Sequence, residues 1–245
     1  MIPYRDENDT VRTPVITLLF IGINAVVWFV VQGAGASYPL IASVCNLGLI
    51  PGELTGAARV GAATPLGEGL ACVVDAGRAP EHIFTSMFLH GSWEHILGNM
   101  WFLWLFGNNI EDSMGRVRFI VFYLLCGIGA GMAHLLANPG SELPTVGASG
   151  AIAGVMGAYF VLYPQSRVLT LLPWIFITVV EIPAVFVLGF WFLAQVFSAG
   201  AIAVTASTHG GGGVAFMAHV AGFAAGAIGI FVFRKKQLDP WAGSY

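Results

Sequence analysis

Residues 147–154 have the sequence GASGAIAG, which places Ser149 at the start of an apolar run. The preceding stretch, NPGSELP at residues 138–144, is polar and contains prolines, so we expect a loop to end and a helix to begin at Ser149. A serine at a helix start commonly caps the helix by accepting a hydrogen bond from a free backbone N–H. Two further stretches, HILGN at residues 95–99 and AHVAG at residues 218–222, indicate a chemical role instead.

The composition limits the class of protein. Charged residues make up 9% of the 245-residue chain and hydrophobic residues 57%. A soluble domain carries roughly 25% charged residues, so we predict an all-α polytopic membrane protein surrounded by the lipid bilayer. The chain has no basic patch for nucleic acid. Residues 1–14 mix acidic and basic side chains, unlike a signal or transit peptide.

Six apolar stretches predict six transmembrane helices. They cover residues 15–33, 94–110, 117–137, 149–163, 174–197 and 214–233. We expect a six-helix core at residues 15–234, with a long outer loop at residues 34–93. Residues 1–14 and 235–245 are then the cytoplasmic N-terminal and C-terminal tails.

The distribution of positive charge predicts the orientation. With both termini cytoplasmic, eight of the ten Lys and Arg residues lie on the inner side. The two exceptions, Arg59 and Arg78, lie in the long outer loop, where the positive-inside rule is weaker. The loops at residues 138–148 and 198–213 contain no Lys or Arg. From the short tails and the lack of a transit peptide, we expect a multi-pass protein of a bacterial plasma membrane.

The same orientation places two reactive side chains at one depth. The fourth predicted span has 15 residues from Ser149 to Tyr163, or roughly 22 Å of helix. Because the hydrocarbon core is about 30 Å thick, Ser149 would lie roughly 8 Å below the outer surface. His219, about five residues into the sixth span, would lie roughly 7 Å down. Non-helical backbone at that depth requires protein or water beside it, so we predict a wet pocket opening to the outer face.

These residue types suit acyl transfer. A serine hydroxyl is a poor nucleophile until a base takes its proton, and His219 is suited to act as that base for Ser149. The oxyanion of a tetrahedral intermediate needs hydrogen-bond donors. The backbone N–H of Ser149 at a helix N-terminus is one such donor. His95 and Asn99, four residues apart on one helix face, supply two more.

Each of these residues also has a structural interpretation. Ser149 can be a helix cap, His219 a buried and hydrogen-bonded histidine, and Asn99 a polar contact between two helices. Their joint occurrence favours function, because ionisable groups inside a membrane are costly.

Glycines predict close packing of the fourth and sixth spans. Gly150 and Gly154 in one span, and Gly222 and Gly226 in the other, form faces of small residues that allow helix backbones to approach. Gly222 lies one turn below His219, so this packing would bring His219 towards the start of the fourth span.

Taken together, these motifs resemble those of the rhomboid intramembrane serine proteases. HILGN at residues 95–99 resembles the H-x-x-x-N of the family's second span, and GASG at residues 147–150 resembles its G-x-S-G. Residues 218–226 resemble its A-H-x-x-G-x-x-x-G. Residues 107–115, with Gly-x3-Glu-x3-Gly spacing, resemble the structural element that follows the second span.

The resemblance implies an intramembrane serine endopeptidase with a Ser149–His219 dyad and no third acidic residue. It implies oxyanion donation from His95, Asn99 and the Ser149 backbone, and it implies no cofactor or metal. Its substrates would be membrane proteins cleaved within or near transmembrane segments, which enter past a mobile fifth span. The sequence Glu-Ile-Pro at residues 181–183 fits a bend in that span, since proline breaks a helix hydrogen bond.

The chain departs from the family pattern at two places. Residues 81–82 are Glu-His where the family often has Trp-Arg. Ala153 stands where some members have an aromatic residue that stacks on the base, so the orientation of His219 must come from elsewhere. A disulfide between Cys45 and Cys72 in the outer loop is left open by the sequence, as is the oligomeric state.

Two alternative functions fit parts of the sequence. One is a non-catalytic rhomboid-like protein that binds membrane clients, although such relatives usually lack the serine or the histidine. The other is a metal-dependent membrane protease or transporter, which needs three or four converging ligands. Its candidate ligands are His90, Glu94, His95, His134 and His219. The helical H-E-x-x-H spacing is absent from the sequence.

Overall fold

The computed structural model describes residues 2–67, 69–77, 79–173, 177–209 and 216–235, and this part of the chain is predominantly helical. Its helices are α1 (Val15–Val26, continued by a wider turn over Val27–Val31), α2 (Ser37–Leu47), α3 (Pro51–Thr55), α4 (His82–Thr85), α5 (Trp93–Met114), α6 (Arg116–Ala137), α7 (Ser149–Leu162), α8 (Ala184–His209) and α9 (Phe216–Phe233). Its strands are β1 (Ile2–Asp6), β2 (Ala63–Gly67), β3 (Leu70–Val73), β4 (Arg167–Pro173) and β5 (Ile177–Pro183). They form two antiparallel sheets, β1-β4-β5 and β2-β3.

Two helices in the described part, α6 and α9, are long and apolar enough to cross a membrane by length and composition. Shorter apolar helices cover residues 15–31, 149–162 and 184–197. Helices α1, α5, α6, α7 and α9 lie where the sequence analysis placed spans. The number of spans and the cytoplasmic position of the termini stay predictions.

Helix α7 is at the centre of the bundle. Every residue from Gly150 to Tyr159 is buried, and α7 contacts α5, α6, α8 and α9. A helix that is apolar on all sides is stable in such an interior position or within a membrane. Its far end is anchored by a hydrogen bond from the Tyr159 hydroxyl to Asp6 Oδ2 at 2.8 Å.

The backbones of α7 and α9 touch through glycines. A Cβ atom at Gly222 would overlap the carbonyl oxygen of Gly150, and one at Gly226 would overlap that of Gly154. A Cβ at Gly154 would also lie 3.3 Å from the carbonyl oxygen of Gly222. Only glycine therefore allows this separation of the two helices, in the manner of small-residue faces in membranes.

Glu111 joins the end of α5 to the start of α1. Its carboxylate is buried and accepts hydrogen bonds from the backbone N–H groups of Ile16 (3.0 Å) and Thr17 (2.8 Å) and from the Thr17 hydroxyl (2.9 Å). A carboxylate at a helix N-terminus satisfies free N–H groups and interacts favourably with the helix dipole. The Gly-x3-Glu-x3-Gly element thus fixes where α1 begins.

The long segment at residues 34–93 is folded. It contains α2, α3, the β2-β3 hairpin and α4. A disulfide joins Cys45 in α2 to Cys72 in β3, with their Cα atoms 5.2 Å apart, which resolves a pairing that the sequence left open. The Thr85 hydroxyl donates to the carbonyl oxygen of Leu47 at 2.6 Å.

The predicted fifth span at residues 174–197 is wrong in its first part. Residues 177–183 form β5, which pairs with β4, and α8 begins only at Ala184 and continues to His209. Residues 174–176 lie outside the described part. The run Ile-Thr-Val-Val at residues 177–180 is rich in β-branched residues, which favour a strand, and an apolar run alone does not distinguish the two structures.

The structure of the Glu-Ile-Pro residues also differs from the prediction, because they end a strand and do not bend a helix. Glu181 lies in β5 and its carboxylate pairs with Arg167 Nη1 in β4 at 2.6 Å. Pro183 ends the strand, and the N–H of Ala184 donates to the carbonyl oxygen of Ser166 at 2.8 Å. The proline therefore marks the change from strand to helix.

The glycine contact predicts the effect of adding one methyl group. Gly226→Ala should lower the free energy of unfolding by about 1–3 kcal/mol or more, because the new Cβ forces α7 and α9 apart. Gly129→Ala on α6, where nothing lies within 4 Å of the added Cβ, is the matched control. It should be neutral or raise stability by up to about 1 kcal/mol.

Unfolding of both variants in mixed detergent micelles, followed by loss of helix signal, gives the comparison. Equal stability of the two variants would contradict the glycine contact.

Candidate active site

The loop that leads into α7 is held by the folded segment at residues 34–93. Leu49 and Thr145 exchange backbone hydrogen bonds of 3.0 and 2.8 Å, and the N–H of Gly147 donates to the carbonyl oxygen of Ser86 at 2.9 Å. Gly147 has φ +133°, a conformation that favours glycine. These contacts place Ser149, which is half-buried, as the first residue of α7.

Ser149 and His219 are joined by a hydrogen bond, with Ser149 Oγ 2.7 Å from His219 Nε2. Ala148 occupies the position before the helix, and no side chain caps the start of α7. The capping interpretation of Ser149 is therefore not what the structure shows. The hydroxyl points to the histidine on α9, across the glycine contact between the two helices.

Gln195 on α8 is a second partner of the histidine, and it was not predicted from the sequence. Its Oε1 lies 2.8 Å from His219 Nδ1. When Nδ1–H donates to this oxygen, Nε2 is left without a proton and accepts from the Ser149 hydroxyl. An amide thus occupies the place that an acidic residue holds in a catalytic triad.

Aromatic rings from two other positions pack around the imidazole. The ring centroid of Trp191 is 5.9 Å from that of His219, and the Phe216 ring is 6.4 Å away at 90°. Trp191 and Gln195 are four residues apart on α8 and so share one helix face. Some family members orient this histidine with an aromatic residue at the position of Ala153. Here Trp191, Phe216 and Gln195 can orient His219 instead. The Trp-x3-Gln spacing was the signal available in the sequence.

His95 and Asn99 lie four residues apart on α5, and His95 borders the space at Ser149. The N–H of Gly91 donates to His95 Nδ1 at 3.4 Å, which leaves the proton on Nε2. A Cβ built on Gly147 would lie 2.8 Å from His95 Nε2 and 3.5 Å from Ser149 Oγ, so these two atoms border one small volume. Asn99 is 8% exposed, and its Nδ2 has no hydrogen-bond partner among the described residues.

The candidate metal ligands do not converge. Among the described residues, no three His, Cys, Asp or Glu side chains are placed to hold one ion. His134 Nε2 lies 2.9 Å from the Thr145 hydroxyl, and His219 is bonded to Ser149 and Gln195. His90 is fully buried with its ring 5.1 Å from that of His95, and burial lowers the pKa of His90 to about 3.

The fold and the site define a helical membrane protein in which a serine and a histidine meet near the starts of two tightly packed helices. The chain belongs to the rhomboid family, since the family model described as "Rhomboid domain" matches residues 79–236. Proteins of this family are integral to membranes.

Three relatives illustrate the similarity. "Rhomboid-like protein 11, chloroplastic" from Arabidopsis thaliana is 27% identical over 148 residues, which cover 60% of this chain and 49% of the relative. "Rhomboid protein 1, mitochondrial" from Saccharomyces cerevisiae is 33% identical over 91 residues, 36% of this chain and 26% of the relative. "RHOMBOID-like protein 1" from Arabidopsis thaliana is 37% identical over 76 residues, 31% and 19% of the two chains. The chain therefore spans about half or less of the length of these relatives.

The Gln195 contact predicts a tautomer that can be measured without any substrate. Nitrogen NMR of histidine-labelled protein should show His219 with its proton on Nδ1. Gln195→Met, which keeps the side-chain length but removes the amide acceptor, should give a mixture of the two tautomers. Leu193→Ala, at a side chain on α8 that is 53% exposed, is the control and should leave the His219 signals unchanged. A proton on Nε2 in the unaltered chain would contradict the assignment.

Proposed function

We propose that this protein is an intramembrane serine endopeptidase, which hydrolyses peptide bonds within or near transmembrane segments of membrane-protein substrates. The observation that carries the proposal is the 2.7 Å hydrogen bond between Ser149 Oγ and His219 Nε2. It joins a hydroxyl to an imidazole at the start of a helix, and Asn99, one turn after His95 on α5, has a buried amide donor without an acceptor among the described residues.

Ser149 and His219 act as a dyad. His219 Nε2 takes the hydroxyl proton while Ser149 Oγ forms a bond to the carbonyl carbon of the scissile peptide. The same imidazole then gives its proton to the leaving amine as the C–N bond breaks, which leaves an acyl-enzyme on Ser149. Water attacks this ester while His219 accepts the proton of the water. The imidazolium then returns the proton to Ser149 Oγ as the ester C–O bond breaks, which releases the new carboxyl terminus. Gln195 holds the imidazole in the tautomer that these proton transfers require, with the proton on Nδ1 and Nε2 free to accept.

The oxyanion of the tetrahedral intermediate is stabilised by three donors. The backbone N–H of Ser149 is at the N-terminus of α7, where the helix dipole favours negative charge. His95 Nε2–H borders the space next to Ser149 Oγ, and Asn99 supplies its Nδ2–H. Leaving a buried donor without a partner costs about 1–3 kcal/mol. The developing oxyanion would supply the missing acceptor in the transition state.

Substrate entry would involve α8. The resemblance to rhomboid proteases implies that the fifth span moves to admit the substrate, and α8 corresponds to that span. Because Trp191 and Gln195 on α8 contact His219, displacement of α8 would remove the groups that orient the base. The site would then be aligned when α8 closes on the bound substrate.

The location proposed for the active site is the outer face of the membrane. The disulfide between Cys45 and Cys72 supports an oxidising compartment on that side. The bacterial plasma membrane stays a prediction, because two of the relatives named above are described as chloroplastic or mitochondrial. The substrates are proposed to be transmembrane proteins, and none is identified by the comparisons.

A non-catalytic, client-binding role is the alternative. The names of the relatives given above state no enzymatic activity. The hydrogen-bonded serine and histidine favour the enzyme, because a binding protein has no need of an aligned nucleophile and base.

Cleavage of a transmembrane reporter in proteoliposomes separates the two functions. The unaltered chain should cleave it, and chelator should have no effect. Ser149→Ala and His219→Ala should each reduce the rate by at least about a thousandfold, because each removes half of one catalytic unit. Ser37→Ala and His82→Ala, which make the same chemical changes in the segment at residues 34–93, are the matched controls. Binding of the reporter without cleavage would favour the alternative, and activity that survives Ser149→Ala would overturn the proposal.

A further inference from the structure

A cavity of about 510 Å³ lies at the end of the bundle opposite Ser149. It is formed by the end of α5, the start of α6, the chain that precedes α1 and the residues that follow α9. Lys235 in its wall follows His219 by 16 residues (235 − 219), so α9 separates the cavity from the candidate active site by roughly 24 Å. Its volume is in the range of about 300–1,000 Å³ that is usual for ligand sites.

Four exposed basic side chains line this cavity, which is called the basic pocket here. They are Arg12, Arg116, Arg118 and Lys235. None of the four forms an ion pair with a carboxylate in the described part of the chain, where Arg167 and Glu181 form the one pair found. Arg118 Nη1 donates to the carbonyl oxygen of Phe233 at 3.4 Å, which leaves other guanidinium N–H groups of Arg118 available.

The acidic residues of the basic pocket are engaged elsewhere. Glu111 accepts three hydrogen bonds from the start of α1. Asp112 accepts one from the backbone N–H of Val11 at 2.9 Å. With four cations and two carboxylates in its wall, the pocket has a net charge of 4 − 2 = +2.

The start of α6 adds to this positive charge. Gly115 precedes the helix and no side chain caps it, so the first N–H groups of α6 have no acceptor from the helix itself. Arg116 and Arg118 lie in this first turn, where the helix dipole disfavours cations. Lys235 Nζ would lie 2.8 Å from a Cβ on Gly115, so a third cation is close to the same turn. Backbone donors and cations gathered in this way bind phosphate groups.

An apolar stripe leads out of the basic pocket along α6. Val117 lines the pocket and is 75% exposed, and Val121 and Leu125 follow at four-residue spacing with 43% and 54% exposed. The stripe is roughly 12 Å long, which is close to the depth of one leaflet in a hydrocarbon core of about 30 Å. A free phosphate ion would use only the charges, whereas a phospholipid would use both the charges and the stripe.

We propose that the basic pocket binds the phosphate group of an anionic phospholipid, whose acyl chain lies along Val117, Val121 and Leu125. This site is separate from Ser149 and His219, and its occupation does not depend on proteolysis. The lipid would neutralise the start of α6 and join α5, α6 and the end of α9 at one point.

Native mass spectrometry of the full chain in a non-ionic detergent tests the proposal. Phosphatidylglycerol, phosphatidylcholine and inorganic phosphate are titrated separately. The unaltered chain should bind phosphatidylglycerol in preference to phosphatidylcholine. Arg116→Gln combined with Arg118→Gln should weaken phosphatidylglycerol binding by about tenfold or more, since each cation near an anionic lipid contributes about fivefold. Arg5→Gln combined with Arg234→Gln removes two charges that do not line the pocket and should change binding less than about twofold.

Three results would overturn the proposal. They are equal binding by the two double variants, equal binding of phosphatidylglycerol and phosphatidylcholine, and binding of inorganic phosphate that displaces the lipid at millimolar concentration. The last would identify a free phosphate site. The glutamine double variant could fail to fold. In that case two experiments replace it: the double variant Arg116→Lys with Arg118→Lys, and a salt titration of the unaltered chain. Binding that is insensitive to salt would then contradict recognition by charge.

Discussion

The close approach of α7 and α9 is the constraint on which the rest of the site depends. Gly150 and Gly222, and one turn further Gly154 and Gly226, place backbone against backbone with no room for a side chain. Ser149 directly precedes the first of these pairs, and His219 lies one turn before Gly222. The separation of Ser149 and His219 is therefore set by rigid main chain rather than by the reach of flexible side chains, which is how a short hydrogen bond is maintained inside a helical bundle.

Distance and orientation are controlled by different helices. The α7–α9 contact determines how far His219 is from Ser149. Gln195 and Trp191 on α8 contact the imidazole, and we expect them to determine which way it faces and which nitrogen carries the proton. A movement of α8 would leave the distance between Ser149 and His219 unchanged but would remove the contacts that orient the imidazole. A helix that admits substrate and also aligns the base would couple binding to catalysis, as an induced fit does.

The parts of this structure that local sequence patterns encode could be predicted from the sequence. Ser149 and His219 were found because polar and ionisable residues in apolar runs are costly, and the glycines because their spacing forms small-residue faces. The structure brings these residues together, although their roles stay predictions. The first part of the fifth span was predicted wrongly because Ile-Thr-Val-Val is apolar in a strand and in a helix alike. Gln195 lies in the part that is helical as expected, but it was missed because no local pattern shows which face of α8 meets His219. The pairing of Cys45 with Cys72 depends on how a 27-residue separation folds, which no local pattern specifies.

Covalent labelling can show whether Ser149 is a nucleophile that His219 activates. The full chain in proteoliposomes is treated with a fluorophosphonate, and the modified residue is mapped by mass spectrometry. We expect a single adduct on Ser149 that is absent when His219→Ala is treated in the same way. An adduct on another serine, or full labelling of Ser149 in the His219→Ala variant, would contradict it.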